Sequence, residues 1–400
     1  MYFVMKLSKL CNLRCAYCYE YEELGEKARM PLDRLAFFFE GVAGHYLRNN
    51  WRLPLHFVLH GGEPALLPLD YIRSFAALQR QYLREHSIPY FTSLQSNLTH
   101  ISDAFLETLA ENDITLGVSI DVFGAERLNL AGRDSQEQVL DNLQRLFDLD
   151  IVRRLSLGAI TVLHRENHAN AVNTFRFFNA LGLSYRILPI FCLADPPQRM
   201  RHLTLTPQDV VGALQKVARA HAKSASTIEI HPLQEFMAAA VRYLSGHRCE
   251  PYNPETMEWA LIVNTNGDAY NHSEAYAAEG LLGNIFEQPL GGILNSEERK
   301  RTLSIRAERA RTCEACPYDG CCSRIPIVEA LPSERAYDAA NALQCLVARP
   351  MIEFLVDRIM CDESAIAAIR KMSKPRRAPM AAKRGRLPLK QSSLARATSN

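Results

Sequence analysis

Three cysteines near the amino terminus, in the segment Cys11-Asn-Leu-Arg-Cys15-Ala-Tyr-Cys18, are spaced so that their thiols can converge from one loop. A cubane [4Fe–4S] cluster normally has four thiolate ligands, so three ligands leave one iron open. Such an iron can bind the amino and carboxylate groups of S-adenosylmethionine (SAM) and pass an electron to its sulfonium, which yields methionine and a 5′-deoxyadenosyl radical. A structural zinc site is the alternative. Zinc is usually bound by C-x2-C pairs, however, and the C-x3-C-x2-C spacing of these three cysteines fits that pattern poorly.

The elements that must position this loop alternate between strand and helix along the first half of the chain. Such alternation predicts right-handed βαβ units and a parallel sheet. Sites in parallel sheets lie at the carboxyl ends of the strands, and the polar motifs of this sequence follow predicted strands. The predicted strands are residues 2–7, 55–60, 90–96, 114–120, 155–162 and 184–190, and helical spacing of apolar residues fills the segments between them.

Three of these strands are followed by the polar motifs Gly61-Gly62-Glu63-Pro64, Ser96-Asn97 and Ser119-Ile120-Asp121. Adjacent glycines let the backbone approach a ligand closely, and the proline fixes the chain after the turn. Read alone, the first motif is also typical of a tight turn, and Asp121 of a helix cap. Arg133 is a candidate partner for a carboxylate, because a guanidinium binds carboxylates bidentately. The alternative for Arg133 is an exposed loop arginine.

The cysteine spacing, with the aromatic Tyr17 directly before the third cysteine, resembles the signature of the radical SAM superfamily. The resemblance implies an α/β fold with a partial (β/α)6 TIM-like barrel and a SAM-binding [4Fe–4S] cluster. It implies catalytic roles for Cys11, Cys15, Cys18 and Asp121. The residues that it assigns to SAM binding are Tyr17, Gly61, Gly62, Glu63, Ser96, Asn97 and Ser119, with Arg133 as the candidate for the SAM carboxylate.

A second cysteine group lies towards the carboxyl end, where Cys313, Cys316 and Cys322 have the spacing C-x2-C-x5-C and Cys345 follows. The group resembles a SPASM-type domain, a cysteine-rich module that holds auxiliary clusters after many peptide-modifying radical SAM barrels. The resemblance implies that these four cysteines bind an auxiliary [4Fe–4S] cluster. A zinc knuckle is the alternative, and Cys321 is an alternative ligand to Cys322.

The sequence departs from the SPASM pattern at two cysteine positions, which hold His272 and Pro326. Cys249 could be the first cysteine of the pattern, although it lies further from Gly267 than the pattern allows. We therefore expect at least one auxiliary cluster and a lost or altered inner one, and we favour an ordinary polar role for His272 over iron ligation. The two remaining cysteines, Cys192 and Cys361, are predicted to be structural, buried residues.

Length and composition indicate a globular chain of more than one unit. Because a strand is predicted at residue 2, we expect no separate leader-binding domain before it. The predicted units are the barrel at 1–193, a helical bridging region at 194–248, the SPASM-like domain at 249–350, a helix at 351–372 and a basic, disordered tail at 373–400.

Charge is unevenly distributed, because residues 370–400 carry ten Lys or Arg and no acid, whereas the rest of the chain carries 36 basic and 44 acidic residues. The body therefore lacks the electrostatic footprint of nucleic-acid binding. No apolar run is long enough for a membrane span and no signal peptide is recognisable, so we expect a cytoplasmic, reducing compartment. The basic tail could attract an acidic leader, although a dispensable extension is the favoured interpretation.

The segments CNLRCAYCYEYEELGEKARM, HGGEPALLP and SIDVFGAERLNLAGR are similar to maturases of ribosomally made peptides, in particular those that form three-residue cyclophanes. The similarity implies an oxidoreductase that removes a side-chain hydrogen from a precursor peptide with a leader and joins that carbon to an aromatic ring. The implied partners are this peptide and an electron donor such as flavodoxin or ferredoxin. The base is expected among Glu20, Tyr21, Glu22 and Asp121.

Other activities are compatible with the same motifs. Formylglycine formation, as in sulfatase maturases, is a close alternative that ranks lower because the inner auxiliary site lacks cysteines. Peptide epimerisation and thioether formation also fit. A non-catalytic metal- or redox-responsive binding protein is the alternative of another class, and cleavage of SAM to 5′-deoxyadenosine would exclude it.

Overall fold

The structure of the protein is a computed structural model. It describes residues 1–149, 155–190, 195–250, 252–271, 280–331 and 334–363. Twelve strands lie within these ranges. They are β1 (Tyr2–Ser8), β2 (Leu13–Cys15), β3 (Leu55–Gly61), β4 (Tyr90–Ser96), β5 (Ile114–Ser119), β6 (Arg127–Asn129), β7 (Gly158–Leu163), β8 (Tyr185–Pro189), β9 (Ile230–His231), β10 (Ala260–Val263), β11 (Asp268–Asn271) and β12 (Leu281–Asn284).

The main sheet has ten strands in the order β12-β11-β10-β1-β3-β4-β5-β7-β8-β9. From β10 to β9 all neighbours run parallel. The six predicted strands correspond to β1, β3, β4, β5, β7 and β8, which lie side by side in chain order. The predicted α/β barrel-type fold is therefore confirmed. Strand β7 begins at Gly158, later than the predicted residue 155.

The cysteine-rich region continues this sheet. Strand β10 pairs in parallel with β1, with Val4 opposite Ile262. Strands β11 and β12 then add antiparallel neighbours at the same side. The predicted boundary at residue 249 thus does not separate two sheets, and the division of the chain into units stays a prediction.

The longer helices in the described part of the chain alternate with the strands. They are α1 (Leu32–Arg48), α2 (Leu69–Gln79), α3 (Asp103–Glu111), α4 (Gln136–Asp148), α5 (Ala171–Ala180), α6 (Pro207–Ala222), α7 (Leu233–Ser245), α8 (Glu297–Arg311) and α9 (Ala348–Met360). Ser102 caps α3 by accepting a hydrogen bond from the Phe105 amide, as its position in the sequence predicts. Within the ranges given above, no helix combines the length and the apolar character needed to cross a membrane.

The carboxyl-terminal helix differs from its prediction over residues 351–372. Helix α9 begins earlier, at Ala348, and ends at Met360, where the Cys361 amide bonds to the Asp357 carbonyl. The remainder of the predicted helix after residue 363 and the predicted basic tail lie outside the described residues. So does the predicted boundary between residues 193 and 194.

Alternation along each strand separates an apolar face, which packs against the helices, from a concave face. Phe57 of β3 is fully buried and lies against Phe3 of β1 and Phe39 of α1, with ring centroids 5.3 and 5.4 Å away. The intervening residues of β3, His56 and His60, lie on the concave face. This face leads to the carboxyl ends of the strands, where the polar motifs lie.

We expect Phe57→Ala to lower the free energy of unfolding by about 3–5 kcal/mol, because a large side chain is removed from a closed core. The matched control is Phe91→Ala on the neighbouring strand, where the ring is 61% exposed. Its effect should stay within about 0.5 kcal/mol. Urea denaturation followed by circular dichroism checks both values, and equal losses for the two variants would contradict this description of the sheet.

Candidate active site

The loop that carries the first three cysteines is held by a small second sheet. Strand β2 pairs antiparallel with β6, which places Cys15 opposite Arg127. The Ala16 amide donates to the Glu126 carbonyl at 2.9 Å, and the Cys18 amide donates to the Cys15 carbonyl at 3.0 Å. The loop backbone is therefore fixed before any cofactor binds.

Burial raises the pKa of all three thiols. The pKa of Cys11 rises to about 11 and that of Cys18 to about 12. The pKa of Cys15 is also raised by burial, and the Arg127 guanidinium opposes this increase. Each thiol is close enough to the others to influence its pKa. Iron must therefore displace protons when it binds here, since the thiolate is the ligand.

The Gly61-Gly62 turn lies directly against the chain that enters the cysteine loop. A Cβ atom on Gly61 would overlap the Ser8 carbonyl, and one on Gly62 would overlap the carbonyls of Lys9 and Leu10. The Gly62 amide donates to the Ser8 carbonyl at 2.9 Å. Only glycine permits this approach, so the motif ties the end of β3 to the loop.

Glu63 is buried beside the loop and accepts hydrogen bonds from residues of the next motif. Its carboxylate accepts from the Asn97 amide at 2.5 Å, the Ser96 hydroxyl at 2.8 Å and the Ala65 amide at 2.9 Å. Burial raises the pKa of Glu63, and these hydrogen bonds oppose the increase. The Asn97 side chain also donates to Cys11 Sγ at 3.8 Å. The predicted residues Glu63, Ser96, Asn97 and Cys11 are thus brought together.

Asp121 is engaged with the strand beside it and with the cysteine loop. Its carboxylate accepts from the Val162 amide at 2.8 Å, the Thr161 hydroxyl at 3.2 Å and the Tyr17 hydroxyl. Arg127 Nη1 donates to the same Tyr17 hydroxyl at 3.3 Å. The carboxylate therefore fixes Tyr17 behind the loop, and helix capping is not its role, since α4 begins after Ser135.

Sequence reasoning missed Arg127, which is the buried guanidinium of this site. Arg127 is opposite Cys15 in the β2–β6 pair, and its charge opposes the increase that burial causes in the pKa of Cys11, Cys15, Tyr17 and Glu63. Arg127 is 8% exposed, and its Nε has no hydrogen-bond partner among the described residues. The predicted Arg133 is exposed on a turn, where its backbone bonds to Asn129. No motif marks Arg127, and its three-residue strand is too short for periodicity to reveal.

Ser119, the last predicted SAM-binding residue, lies on the concave face of the sheet. Its hydroxyl accepts from Gln95 Nε2 at 2.8 Å. Ser119 therefore takes part in a polar contact on the sheet. It is not part of the hydrogen-bond group formed by Glu63, Ser96 and Asn97.

The candidate bases differ in their surroundings. Glu20 is buried and lies 3.1 Å from the Lys6 ammonium. Glu22 is exposed and pairs with Arg199 at 3.1 Å. The Arg199 guanidinium also lies 4.2 Å from the centroid of the Tyr21 ring. Only Glu20 of these three is enclosed by the protein.

The four cysteines of the second group lie near one another, and their role as cluster ligands stays a prediction. Burial raises the pKa of Cys313, Cys322 and Cys345, and neighbouring thiols of the group raise each of these pKa values further. Cys316 is one of these neighbours in all three cases. Cys316 and Cys322 line a cavity of about 510 Å³. In the part of the chain that the structure describes, no three His, Cys, Asp or Glu side chains are arranged to hold a single metal ion.

Of the other cysteines, Cys249 lines the same cavity as Cys316 and Cys322. Cys321 is buried and accepts a hydrogen bond from Arg248 at 3.2 Å. Cys249 donates through both its amide and its thiol to the Gly320 carbonyl, at 2.7 and 3.1 Å. Pro326 lies in the short helix Ile325–Val328. Cys361 is exposed at the end of α9, so the prediction that it is buried is wrong. His272 and Cys192 lie outside the described residues.

These residues fit the predicted cofactors. Three thiols in one loop provide an incomplete ligand set for a cubane, which suits a cluster with an open iron. A buried carboxylate and a buried guanidinium with an unpartnered nitrogen lie beside them. Opposite charges of this kind complement the amino and carboxylate groups of an amino acid such as SAM.

Comparisons with known proteins agree with this description. The sequence profile of the Radical SAM superfamily matches residues 5–178. A serine-type anaerobic sulfatase-maturating enzyme of Bacteroides thetaiotaomicron is 25% identical over 343 residues, which are 81% of each chain. A cysteine-type anaerobic sulfatase-maturating enzyme of Clostridium novyi is 21% identical over 327 residues, which are 79% of this chain and 84% of that relative.

Two solved structures show the same fold. Native anSMEcpe with bound AdoMet and Cp18Cys peptide matches with a TM-score of 0.70 and 16% identity over 93% of this chain and 99% of that one. Streptococcus suis SuiB bound to S-adenosylmethionine matches with a TM-score of 0.54 and 13% identity over 80% of this chain and 72% of that one. A [4Fe–4S] cluster and SAM are the cofactors of the radical SAM family, as the cysteine spacing predicts. The chain thus carries a radical SAM domain over residues 5–178, is homologous to the anaerobic sulfatase-maturating enzymes and is an enzyme of the radical SAM type.

Proposed function

We propose that this enzyme oxidises a side chain of a peptide or protein substrate. The observation that carries the proposal is the attachment of the three-cysteine loop to Glu63, whose amide donates to the Leu10 carbonyl at 2.8 Å, and to Arg127, which is opposite Cys15. The class of substrate is supported by the relatives, whose names describe maturation of a sulfatase and which match over about four fifths of their length. The peptide in the anSMEcpe structure supports the same class.

The proposed roles at the SAM site follow from charge and geometry. When bound at the Cys11, Cys15 and Cys18 thiolates, the cluster with SAM supplies a carbon-centred oxidant that removes a hydrogen atom from a substrate carbon. Glu63 binds the SAM amino group, because its three hydrogen bonds leave one of the roughly four acceptor positions of a carboxylate free. Arg127 binds the SAM carboxylate through the guanidinium that the site buries.

Asp121 and Tyr17 act as positioning residues in this proposal. Asp121 has its carboxylate occupied by Val162, Thr161 and Tyr17, so it holds the aromatic residue behind the loop and does not collect a proton from the substrate. Glu20 is the favoured base among the residues predicted from the sequence, because it is buried beside the cysteine loop, 3.1 Å from the Lys6 ammonium.

Two products are compatible with this site. The comparisons favour formylglycine formation from serine or cysteine, which the sequence ranked second. The motif similarity, together with Pro326 at a predicted ligand position, favours a carbon–carbon crosslink in a three-residue cyclophane. A crosslink, or formylglycine made from serine, removes two hydrogens, so a proton and an electron must leave after the first hydrogen atom. Cys313, Cys316, Cys322 and Cys345 would hold an auxiliary cluster as the electron acceptor.

The proposed partners are a peptide substrate, in the crosslinking case a precursor with a leader, and an electron donor such as flavodoxin or ferredoxin. The donor must deliver one electron for each SAM that is cleaved.

Reconstituted and reduced enzyme should cleave SAM to 5′-deoxyadenosine and modify a synthetic peptide. The probes are a sulfatase peptide with serine, the same peptide with cysteine, and a peptide with an aromatic-x-Asn element. Mass spectrometry detects the product, a hydrazide traps the aldehyde of formylglycine, and a crosslink gives a product without aldehyde that resists fragmentation between the joined residues. The variant C11A/C15A/C18A should lose all activity, and C361A, at an exposed thiol, should retain it. Activity in the triple variant would contradict the assignment.

We expect Arg127→Gln to weaken SAM binding by about 10-fold to 100-fold, since a buried charge-assisted hydrogen bond is lost. Arg133→Gln is the control, and it should bind SAM like the parent because Arg133 is exposed. Equilibrium dialysis with labelled SAM measures both, on samples with equal iron content. If Arg133→Gln weakened SAM binding and Arg127→Gln did not, the SAM carboxylate would be assigned to Arg133 instead.

The reconstituted chain should contain about eight irons, which is two cubane clusters. Cys345→Ala should retain about four, because it breaks the second group and leaves the first intact. Cys249→Ala should leave the iron content unchanged, since its thiol is bonded to the Gly320 carbonyl. Iron and sulfide analysis of anaerobic protein checks these values, and a parental content near twelve would indicate a further cluster.

A further inference from the structure

The concave face of the sheet carries a polar row, defined as Lys6, His60, Gln95 and Ser119, directly below the candidate active site. Lys6 of β1 and His60 of β3 are partners in the strand register. The pairing of Leu59 with Leu94 places Gln95 of β4 beside His60. Gln95 Nε2 donates to Ser119 Oγ at 2.8 Å. Lys6, His60 and Gln95 therefore lie at one level on three neighbouring parallel strands, and Ser119 lies two residues further along β5, since Gly117 is opposite Gln95.

Lys6 joins this row to the cysteine loop. Its side chain is 0% exposed. The ammonium lies 3.1 Å from Glu20 Oε1, contacts the Tyr19 hydroxyl, and lies 3.2 Å from His60 Nδ1. Glu20 and Tyr19 directly follow Cys18. The loop and the histidine are thus held by the same buried cation.

The hydrogen bonds of His60 define its tautomer. Nδ1 faces two donors, the Lys6 ammonium and the Gly61 amide, which lies 2.8 Å away. Nδ1 must therefore be the acceptor, and the ring hydrogen is on Nε2. Burial and the Lys6 charge lower the pKa of His60 to about 3, so the ring is neutral at neutral pH.

The opposite side of the ring is available to a ligand. Within the described residues His60 makes its hydrogen bonds through Nδ1, and Nε2 has none. His60, Gln95 and Ser119 are all partly exposed on the concave face. Space for the row is built into β5, because a Cβ atom at Gly117 would overlap the Gln95 amide. The ring also immediately precedes the Gly61-Gly62-Glu63 motif.

We propose that the polar row is the floor of the substrate site and that His60 donates a hydrogen bond from Nε2 to a backbone carbonyl oxygen of the bound peptide. This inference rests on the proposed function and names a recognition contact within it. A neutral N–H donor suits the neutral oxygen of a peptide group. Gln95 lies on the next strand, about 4.8 Å away, and its amide can pair with the adjoining peptide N–H.

The network gives this contact a fixed direction. The Lys6 ammonium binds Glu20 on one side and His60 on the other, so the ring cannot turn away without losing its hydrogen bonds to the buried ammonium and to the Gly61 amide. The peptide contact and the loop that carries Cys18 are therefore positioned by one interaction. A substrate carbon held through His60 keeps a constant relation to the cysteine loop.

Two substitutions separate the substrate side of the ring from the structural side. His60→Asn keeps an oxygen acceptor near Nδ1 for Lys6 and the Gly61 amide but does not reach the position of Nε2. His60→Gln places an amide N–H near the position of Nε2 and gives up the acceptor near Nδ1. The control is His56→Asn, on the same strand and face, where the ring stacks on Tyr2 at 4.3 Å.

The probe is whichever of the three synthetic peptides the parent enzyme modifies. We expect His60→Asn to raise the KM for this peptide about tenfold, which corresponds to the loss of one hydrogen bond. It should also increase the ratio of 5′-deoxyadenosine to modified peptide. His60→Gln should remain within about threefold of the parent KM, and His56→Asn should equal the parent. Iron content and SAM cleavage without peptide are measured for every variant, and His56→Asn should equal the parent in both.

A purely structural role for His60 gives the reverse order, with His60→Asn like the parent and His60→Gln impaired, and would overturn the inference. A KM equal to that of the parent in both His60 variants would also overturn the inference. Loss of iron in both variants would overturn it as well, because the ring would then act only through Lys6 on the cysteine loop. If the parent cleaves SAM but modifies none of the peptides, the proposed function itself fails, and this inference falls with it.

Discussion

The contact on which the site depends is the one between two backbones, that of the Gly61-Gly62 turn and that of residues 8–10. Each glycine occupies a position where a Cβ atom would overlap a carbonyl of the chain that enters the cysteine loop. Because the turn ends β3 and the loop follows β1, the contact joins two adjacent parallel strands at their carboxyl ends. The sheet thereby determines where the three thiols lie relative to Glu63.

The cysteine loop also depends on buried cations that compensate the charge of its ionisable groups. Burial alone raises the pKa of the three cysteine thiols and of Glu63. Arg127 opposes the increase at Cys11, Cys15 and Glu63, and Lys6 neutralises Glu20 on the other side of the loop. Two buried cations therefore flank a loop that must carry thiolates. Without them, each ionised group would carry the full cost of desolvation.

The sequence was sufficient for the fold because its signals are local. Apolar runs separated by helical segments predicted six strands, and the six are neighbours in the sheet. Motif position was equally informative, since Glu63, Ser96 and Asn97 follow predicted strands and meet at Cys11. These local signals give no information about pairing between short segments that are far apart in the sequence. The bridge from Cys15 to Arg127 joins residues far apart in sequence through strands of three residues, and no periodicity reveals such strands.

The same limit applies to the concave face and to the carboxyl end. Alternation along β3 predicts which side His60 faces, but its tautomer depends on Lys6, which reaches it only through the β1–β3 register. Cys361 was expected to be buried from residue type alone, whereas its exposure is decided by where α9 ends. Asp121 was assigned by motif, and its three partners come from the neighbouring strand and the cysteine loop.

The region around the second cysteine group is held by buried charges as well as by thiols. Arg306 of α8, which is almost completely buried, pairs with Glu258, and Arg299 of the same helix donates to the Glu258 carbonyl at 3.0 Å. Glu329, which follows the short helix at Pro326, has its pKa raised to about 7 by burial and by Glu258, with Arg306 opposing the increase. The segment before β10 is therefore joined to α8 by the Glu258–Arg306 ion pair. Removal of either side chain would leave the other as an uncompensated buried charge. Since β10 also pairs with β1, this ion pair connects the second cysteine group to the strand that leads into the first.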